Sequence, residues 1–421
     1  MGKSKTDEFI PAKPSPLLRK TIHRLSPVLL PAMTGVVGID YDKEGLQRLR
    51  ELAEHTVLLT PNHPTTTEPM LTFLLSCTVG QFFYYLTARE VFEQMGGVQG
   101  WVIQRLGSYS IVRGAIDRNS FRVTRELLAQ KGTKLVIFPE GEVYLQTETV
   151  LPFQSGVFQM AFWGLEDARK AGRENDPFYL VPTAFRYKMA RDISGEIEAS
   201  LLRLEKATGS DVQPGDDTYT RLRRVSIATL RTLEKEYGIK SPKEEDFHAD
   251  LTERMDAIKE TLLTRVAMAA GLSQPKGQTL VDRMRSLHTQ VEAIARADSE
   301  ATTPFEIALQ EQRQKRTRPL ITDLYRLSNW IAAYDGYVRE APTQERIADT
   351  LIRLEKECFG SATLRPPRRA QVRIGEPLDI ATHWEAYQAN KKEAIQNVTT
   401  EMERRVATLV GATTVPAELF A

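Results

Sequence analysis

From residue 36 onward, short runs of β-branched and aromatic residues alternate with stretches whose apolar positions recur every three or four residues. The runs at 36–40, 57–60, 82–87, 109–112, 134–138 and 179–185 predict strands, and the stretches 43–53, 67–77, 119–130 and 157–170 predict helices. Such alternation is the pattern of an α/β domain, in which helices cover a largely buried sheet. After Tyr187 the pattern changes. Leu, Glu, Arg and Ala recur at helical spacing, strand-like runs nearly vanish, and Pro214, Gly215, Pro242, Pro275 and Pro304 divide the segment into helices. A strand-like AQVRIGEPLDI returns at 370–380, followed by an amphipathic helix over 384–409. The pattern predicts an α/β fold, a mixed sheet covered by helices, with a large all-helical insertion before the last strand. The divisions expected are an N-terminal amphipathic segment at 1–34, the first part of the α/β domain at 35–188, the insertion at 189–368, and the last strand and C-terminal helix at 369–421.

Two apolar segments bear on membranes. LTFLLSCTVGQFFYYL at 71–86 is interrupted by Gly80 and Gln81, so it predicts a helix end followed by a strand rather than a transmembrane span. In PLLRKTIHRLSPVLLPAM at 16–33, Leu17, Leu18, Ile22, Leu25, Leu29 and Leu30 form a stripe flanked by Arg19, Lys20 and Arg24. A basic amphipathic segment of this kind suits a membrane interface, and it equally suits packing on the body of the protein. The basic stretches 313–318 and 365–369 suit either anionic headgroups or plain solvation.

Composition narrows the class. The chain has 421 residues, 41% of them hydrophobic, which is enough for a full core and more than one structural unit. Lys and Arg number 56 against 55 Asp and Glu, so the net charge of +1 gives no global pull toward nucleic acid. Cys77 and Cys358 stand far apart with no C-x-x-C pair, which argues against a disulfide framework or a zinc knuckle and fits a reducing compartment. The first twenty residues lack the apolar core of a secretory signal. A cytoplasmic location is expected, peripheral on the inner face of the membrane if the segment 16–33 binds there.

The candidate chemistry starts at LLTPNHPTTTEP, 58–69, where an apolar strand delivers Asn62 and His63 to its C-terminal edge, the edge where α/β sheets commonly hold their sites. Thr65 or Thr66 is placed to cap the next helix, with Glu68 in its first turn, where the helix dipole favours a carboxylate. A histidine with a carboxylate in reach has the parts of a general base and its orienter. Surface capping by the same two residues is the plain alternative. Three later stretches favour the chemical reading: GSYSIVR ends a strand in Arg113, LVIFPEG ends one in Glu140 and Gly141, and LVPTAF is a strand with one internal proline.

In order and separation these stretches resemble the motifs of the glycerolipid acyltransferase family, which includes the 1-acylglycerol-3-phosphate acyltransferases: N-H-x-x-x-x-D, G-x-x-F-I-x-R, F-P-E-G-T-R-S and a V-P-V-A-like strand. TAREVF at 87–92, FQSG at 153–156 and VRIGEP at 372–377 resemble further family steps, and the resemblance covers 35–187 and 370–411. It implies transfer of a fatty acyl group from an acyl thioester, acyl-CoA or acyl-ACP, to a hydroxyl of a lysolipid or glycerolipid, with no metal and no bound cofactor. His63 would be the base and Glu68 its orienter. Asn62, Arg89, Arg113, Glu140 and Gly141 would bind the acceptor.

Two departures stand out. Glu68 replaces the family's Asp, and FPEGEVY replaces F-P-E-G-T-R-S, so Glu142 and Val143 stand where Thr and a phosphate-binding Arg are expected. A carboxylate facing a phosphate repels it, and Arg89 or Arg118 is the candidate to compensate. The rival reading is a catalytically silent lipid-binding or scaffold protein on the same fold. A hydrolase is weaker, because no G-x-S-x-G elbow is present.

Overall fold

A computed structural model describes residues 9–112, 117–242, 246–273, 279–296 and 303–411. Its first part runs α1 (Pro16–Thr34), β1 (Val36–Tyr41), α2 (Lys43–Glu51), β2 (Thr56–Pro61), α3 (Glu68–Thr78) and β3 (Tyr84–Ala88). A 3-10 segment (Arg89–Gly97) leads to α4 (Val98–Leu106), β4 (Ser108–Ile111), α5 (Arg118–Leu128), β5 (Lys134–Val136), α6 (Ser155–Lys170) and β6 (Phe178–Met189). Next come α7 (Ser194–Thr208), α8 (Thr218–Tyr237), α9 (Thr252–Ala270), α10 (Leu280–Arg296), α11 (Pro304–Trp330), α12 (Gly336–Arg339) and α13 (Gln344–Phe359). The chain ends in β7 (Arg368–Ile374), β8 (Leu378–Asp379), α14 (Trp384–Ala389) and α15 (Lys391–Val410).

The sheet has the order β1-β7-β6-β2-β5-β3-β4, with β8 paired to β6. From β6 to β4 every pair is parallel, whereas β7 runs antiparallel to β6 and parallel to β1. Alternation along the strands sorts the core into two faces. Val57, Leu59 and Val136 meet Leu46, Leu71 and Leu75 from α2 and α3. Leu58 and Leu135 face the other way, toward Phe158 and Phe162 of α6 and Val398 of α15. A third cluster fills the helices between β6 and β7, and Tyr144 and Leu151 from the loop after β5 are packed into it.

The fold is the mixed α/β arrangement that the patterning predicts, and the large helical segment falls between two strands that neighbour each other. Met189 and Arg368 are register partners, so the helices leave and rejoin the sheet at one spot. A long excursion of that form leaves the sheet register undisturbed. Three local expectations are corrected. Two strands, not one, follow the helices, because Gly375 and Pro377 interrupt the run between β7 and β8. The C-terminal helix is split at Asn390, whose extended backbone (φ −149°) ends α14 and whose side chain accepts from Glu393 N to cap α15. The helical character of 89–106 was not expected, since positive-φ Gly96 and Gly97 sit inside it and break its period.

In α1 the predicted stripe divides. Leu30 is buried, Leu18, Ile22 and Leu29 are partly buried, while Leu17 (77% exposed) and Leu25 point outward beside Val28 and Met33. Arg19 fixes the inner face by donating to Ser76 Oγ (3.2 Å) and to Gln81 O (2.6 Å). Among the described residues no helix is long and apolar enough to cross a membrane.

Candidate active site

β2 and β5 are parallel neighbours (Leu59 opposite Val136), so the loops that follow them emerge side by side at the C-terminal edge of the sheet. The first carries Asn62 and His63, the second Glu140 and Gly141. β3, next to β5, ends at the same edge with Arg89 beyond it.

Asn62 is fully buried and its amide is spent on the backbone of β6: Oδ1 accepts from Phe185 N (2.7 Å) and Nδ2 donates to Phe185 O (3.0 Å). It continues the β2–β6 ladder by one step past Pro61, and so fixes where the next residue leaves the sheet. That residue is His63. Its ring stacks on Phe138 (centroids 4.2 Å apart) and its side chain is 17% exposed, more enclosed than a plain surface loop would leave it.

His63 Nδ1 lies 2.9 Å from Glu68 Oε2. Oε2 also accepts from Thr65 N (3.0 Å), and Oε1 accepts from Thr65 Oγ1 (2.7 Å) and from the Tyr187 hydroxyl. Every neighbour on this carboxylate is a donor. An ionised carboxylate only accepts, so Nδ1 is the donor in this contact, and in the neutral ring Nε2 is then the nitrogen with the lone pair. Burial, followed by the neighbouring Glu68 charge, pushes the Tyr187 hydroxyl well above its ordinary pKa and keeps it a donor. Neither Thr65 nor Thr66 is the helix cap. Thr67 occupies that position, and Thr65 Oγ1 instead accepts from Thr67 N (3.1 Å) while donating to Glu68.

Glu140 is fully buried, with no hydrogen-bond partner on either carboxylate oxygen. Burial pushes its carboxyl well above the ordinary carboxylate range, and the nearby Tyr144 hydroxyl and His63 backbone offset only part of that. Gly141 has φ +67°, the left-handed region that favours glycine, and the Gln154 amide, a flexible side-chain end, lies 2.1 Å from where a Cβ would stand. Arg89 is nearly buried and pairs with Glu93 (3.2 Å), its Nε without a hydrogen-bond partner. Arg118 is exposed at the start of α5, and Arg113 lies outside the described residues.

Tyr187 and Arg285 were not anticipated at the site, and Thr65 has a role other than the cap expected of it. Thr65 and Tyr187 complete the cradle of Glu68. Arg285 of α10 reaches the turn after Gly141, with Nε 4.0 Å from Glu142 Oε1 and Nη1 3.1 Å from Asp282 Oδ1. The Gln154 amide, with its oxygen turned to Arg285, accepts from Nε (3.2 Å) and Nη1 (3.0 Å). Tyr187 shares the strand face of Phe185 by the two-residue period, which is the one signal in the sequence that placed it there. Nothing in the sequence pointed to Arg285.

No curated protein matches the chain. Residues 40–185 match the family model described as Acyltransferase, a segment that runs from β1 into β6 and contains both strand-edge loops. Over residues 40–185, the part that carries both loops, the chain is similar to that acyltransferase family.

Proposed function

We propose that the protein moves a fatty acyl group from an acyl thioester to a hydroxyl of a glycerolipid or lysophospholipid, with His63 as general base. The observation that carries this reading is the His63 Nδ1–Glu68 Oε2 contact at the strand edge, which leaves Nε2 for the acceptor hydroxyl. Nε2 takes the hydroxyl proton as the oxygen attacks the thioester carbonyl. The C–S bond then breaks and the imidazolium returns the proton to the departing thiolate. A thioester is already activated, so a base and correct positioning are the main requirements. In this reading Glu68 orients and charge-stabilises His63, and Asn62 sets the exit of the loop through its bonds to Phe185. Glu140, Gly141 and Arg89 form the acceptor side, and the family resemblance assigns Arg113 to the same role. Thiol release from long-chain acyl-CoA and acyl-ACP, with and without lysolipid acceptors, separates a transferase from a hydrolase and from an inert scaffold.

The headgroup is the next question. Val143 supplies no cation where the family's arginine is expected, and the Glu142 charge is answered by Arg285 rather than turned toward a ligand. Loss of one charge-assisted hydrogen bond, about 1.5–3 kcal/mol, weakens binding by about one to two powers of ten. Competition assays with paired acceptors are expected to show a phosphodiester, sugar or neutral headgroup used at least as well as lysophosphatidic acid. The double substitution Val143→Arg with Glu142→Thr is expected to shift preference toward the phosphomonoester. A wild type that strongly prefers lysophosphatidic acid would overturn this account of the departure.

Membrane contact through α1 belongs to the same proposal. Leu17, Val28 (72% exposed) and Met33 (70% exposed) carry apolar surface beside Lys20 and Arg24. The chain just before α1 is stitched to α4 through Lys13 N to Gln104 O (3.0 Å) and Ser15 N to Arg105 O (2.9 Å). α4 adds half-exposed Trp101, with Arg105 over its ring. Because the other side of α1 packs on the sheet layer, point changes test this better than deletion. Leu17→Glu with Val28→Glu is expected to release the protein from anionic liposomes in flotation while leaving its thermal stability unchanged. Unchanged flotation would leave α1 as a packing element alone.

A further inference from the structure

The loop that follows Gly141 has no regular structure of its own, yet Gln146, Thr147, Glu148, Thr149 and Val150 are all buried. Buried irregular backbone must find hydrogen-bond partners outside itself, and here they come from the helices between β6 and β7. Asp349 of α13 accepts with Oδ2 from Thr147 N (2.8 Å), Thr147 Oγ1 (2.7 Å) and the Tyr337 hydroxyl (2.9 Å). Its Oδ1 accepts from Arg368 of β7 (2.9 Å), which ties the same carboxylate to the sheet. Arg353 donates to Tyr144 O (3.3 Å) and Gln146 Oε1 (3.0 Å), and Arg346 donates to Glu148 Oε2 (2.8 Å).

The other side of this loop touches the proposed site. Leu145 N donates to Pro64 O (2.8 Å), one residue beyond His63. Tyr144 lies beside Glu140, and its hydroxyl closes the loop by donating to Thr149 O (2.8 Å). Leu145 itself is held at φ +53°, a conformation that a leucine keeps only where its surroundings over-determine it.

We infer that the helical insertion is a positioning device for the acceptor side of the site, and that Asp349 is its positioning residue. By gripping Thr147 it fixes the 144–149 loop between α13 and Pro64, and so sets how Glu140 and Gly141 stand relative to His63. The inference rests on the acyl-transfer reading. It gives the insertion a role within the reaction: the acceptor pocket has one wall from the sheet edge and one held in place by α13, whose Asp349 stands 202 residues after Thr147.

The full chain carrying Asp349→Asn, Thr147→Val or Thr147→Ser tests it, with Glu234→Gln as control. Glu234 of α8 is also buried, and its carboxylate is held by Arg254 of α9 (2.6 Å) and Ser241 (2.5 Å), both outside this loop. Asp349→Asn and Thr147→Val are expected to raise the acceptor KM about tenfold, the scale of one lost positioning hydrogen bond, with the donor KM and acceptor-independent thiol release unchanged. Thr147→Ser, which keeps the hydroxyl, is expected to restore the wild-type acceptor KM, and Glu234→Gln to leave it unaltered. Hydrogen exchange of the 142–149 amides is expected to speed up in Asp349→Asn. Unchanged acceptor KM, or an equal loss in Glu234→Gln, would overturn the inference and leave the contacts as structural glue. A wild type with no acyl transfer would overturn the functional reading instead, and slow exchange persisting in Asp349→Asn would still refute the grip.

Discussion

Replacing His63 with Ala is expected to lower turnover by about two to four powers of ten, the usual contribution of a general base, and to do so at every acceptor concentration. The side chain that disappears is the one whose Nε2 is proposed to face the hydroxyl, so the loss falls on kcat and not on donor binding. The stability effect is smaller. His63 gives up a stack on Phe138 and one hydrogen bond to a carboxylate that retains three other donors, a cost of about 1–2 kcal/mol. Thermal unfolding together with thiol-release kinetics separates the two effects. Turnover near wild type in His63→Ala would remove the histidine from the mechanism.

Glu68→Gln is expected to have the second largest effect, and the cradle says why. Its Oε2 serves two N–H donors that cannot turn round, His63 Nδ1 and Thr65 N, whereas Oε1 serves two hydroxyls, Thr65 and Tyr187, that can. A glutamine therefore settles with its amide oxygen toward the histidine and its NH2 toward the hydroxyls. The ring proton stays on Nδ1, but the charge that stabilises the imidazolium is gone. Turnover should fall by about two powers of ten or more with the acceptor KM little changed. Glu68→Asp is expected to fail as well, although it restores the residue usual in the family. The shorter side chain cannot reach His63 and Tyr187 together, because the cradle is cut to the length of a glutamate. Measured kcat for Gln equal to that of wild type would end the charge argument, and full activity of Asp would end the cradle argument.

Much of this was legible in the chain because the determinants are local. The short apolar runs at 57–60 and 134–138 gave β2 and β5, and a proline followed by a polar residue at each strand end gave the two loops. The five-residue step from His63 to Glu68 spans a single turn into α3, so their meeting needs only the helix start to be right. The cap was misplaced by one or two residues for an equally local reason. Thr65, Thr66 and Thr67 are alike in sequence, and only the competing bond from Thr65 to Glu68 decides among them.

Pairings that depend on tertiary contact were not legible. The VRIGEP run reads as a closing strand, and the structure sets it between β1 and β6, inside the sheet. Its alternation, with Ala370, Val372 and Ile374 buried and Gln371 and Arg373 half-buried, records that one face packs on the core, and alternation carries no information about which strand lies alongside. Arg285 and Asp349 are two among many charged residues in a long helical segment, and nothing in helical spacing marks either as the one that meets the loop after Gly141.

The sequence by itself determined the element types, the strand-edge loops, the histidine with its carboxylate, and the helical character of the segment before β7, since each follows from periodicity or from neighbours within one turn. Only the tertiary structure decided that Tyr187, 119 residues from Glu68, completes the carboxylate's cradle, and that Asp349, 202 residues from Thr147, holds the loop beside it. The physical reason is the same for both: a buried carboxylate takes whatever donors the sheet register and helix packing bring within about 3 Å of it, and those are set by the fold as a whole.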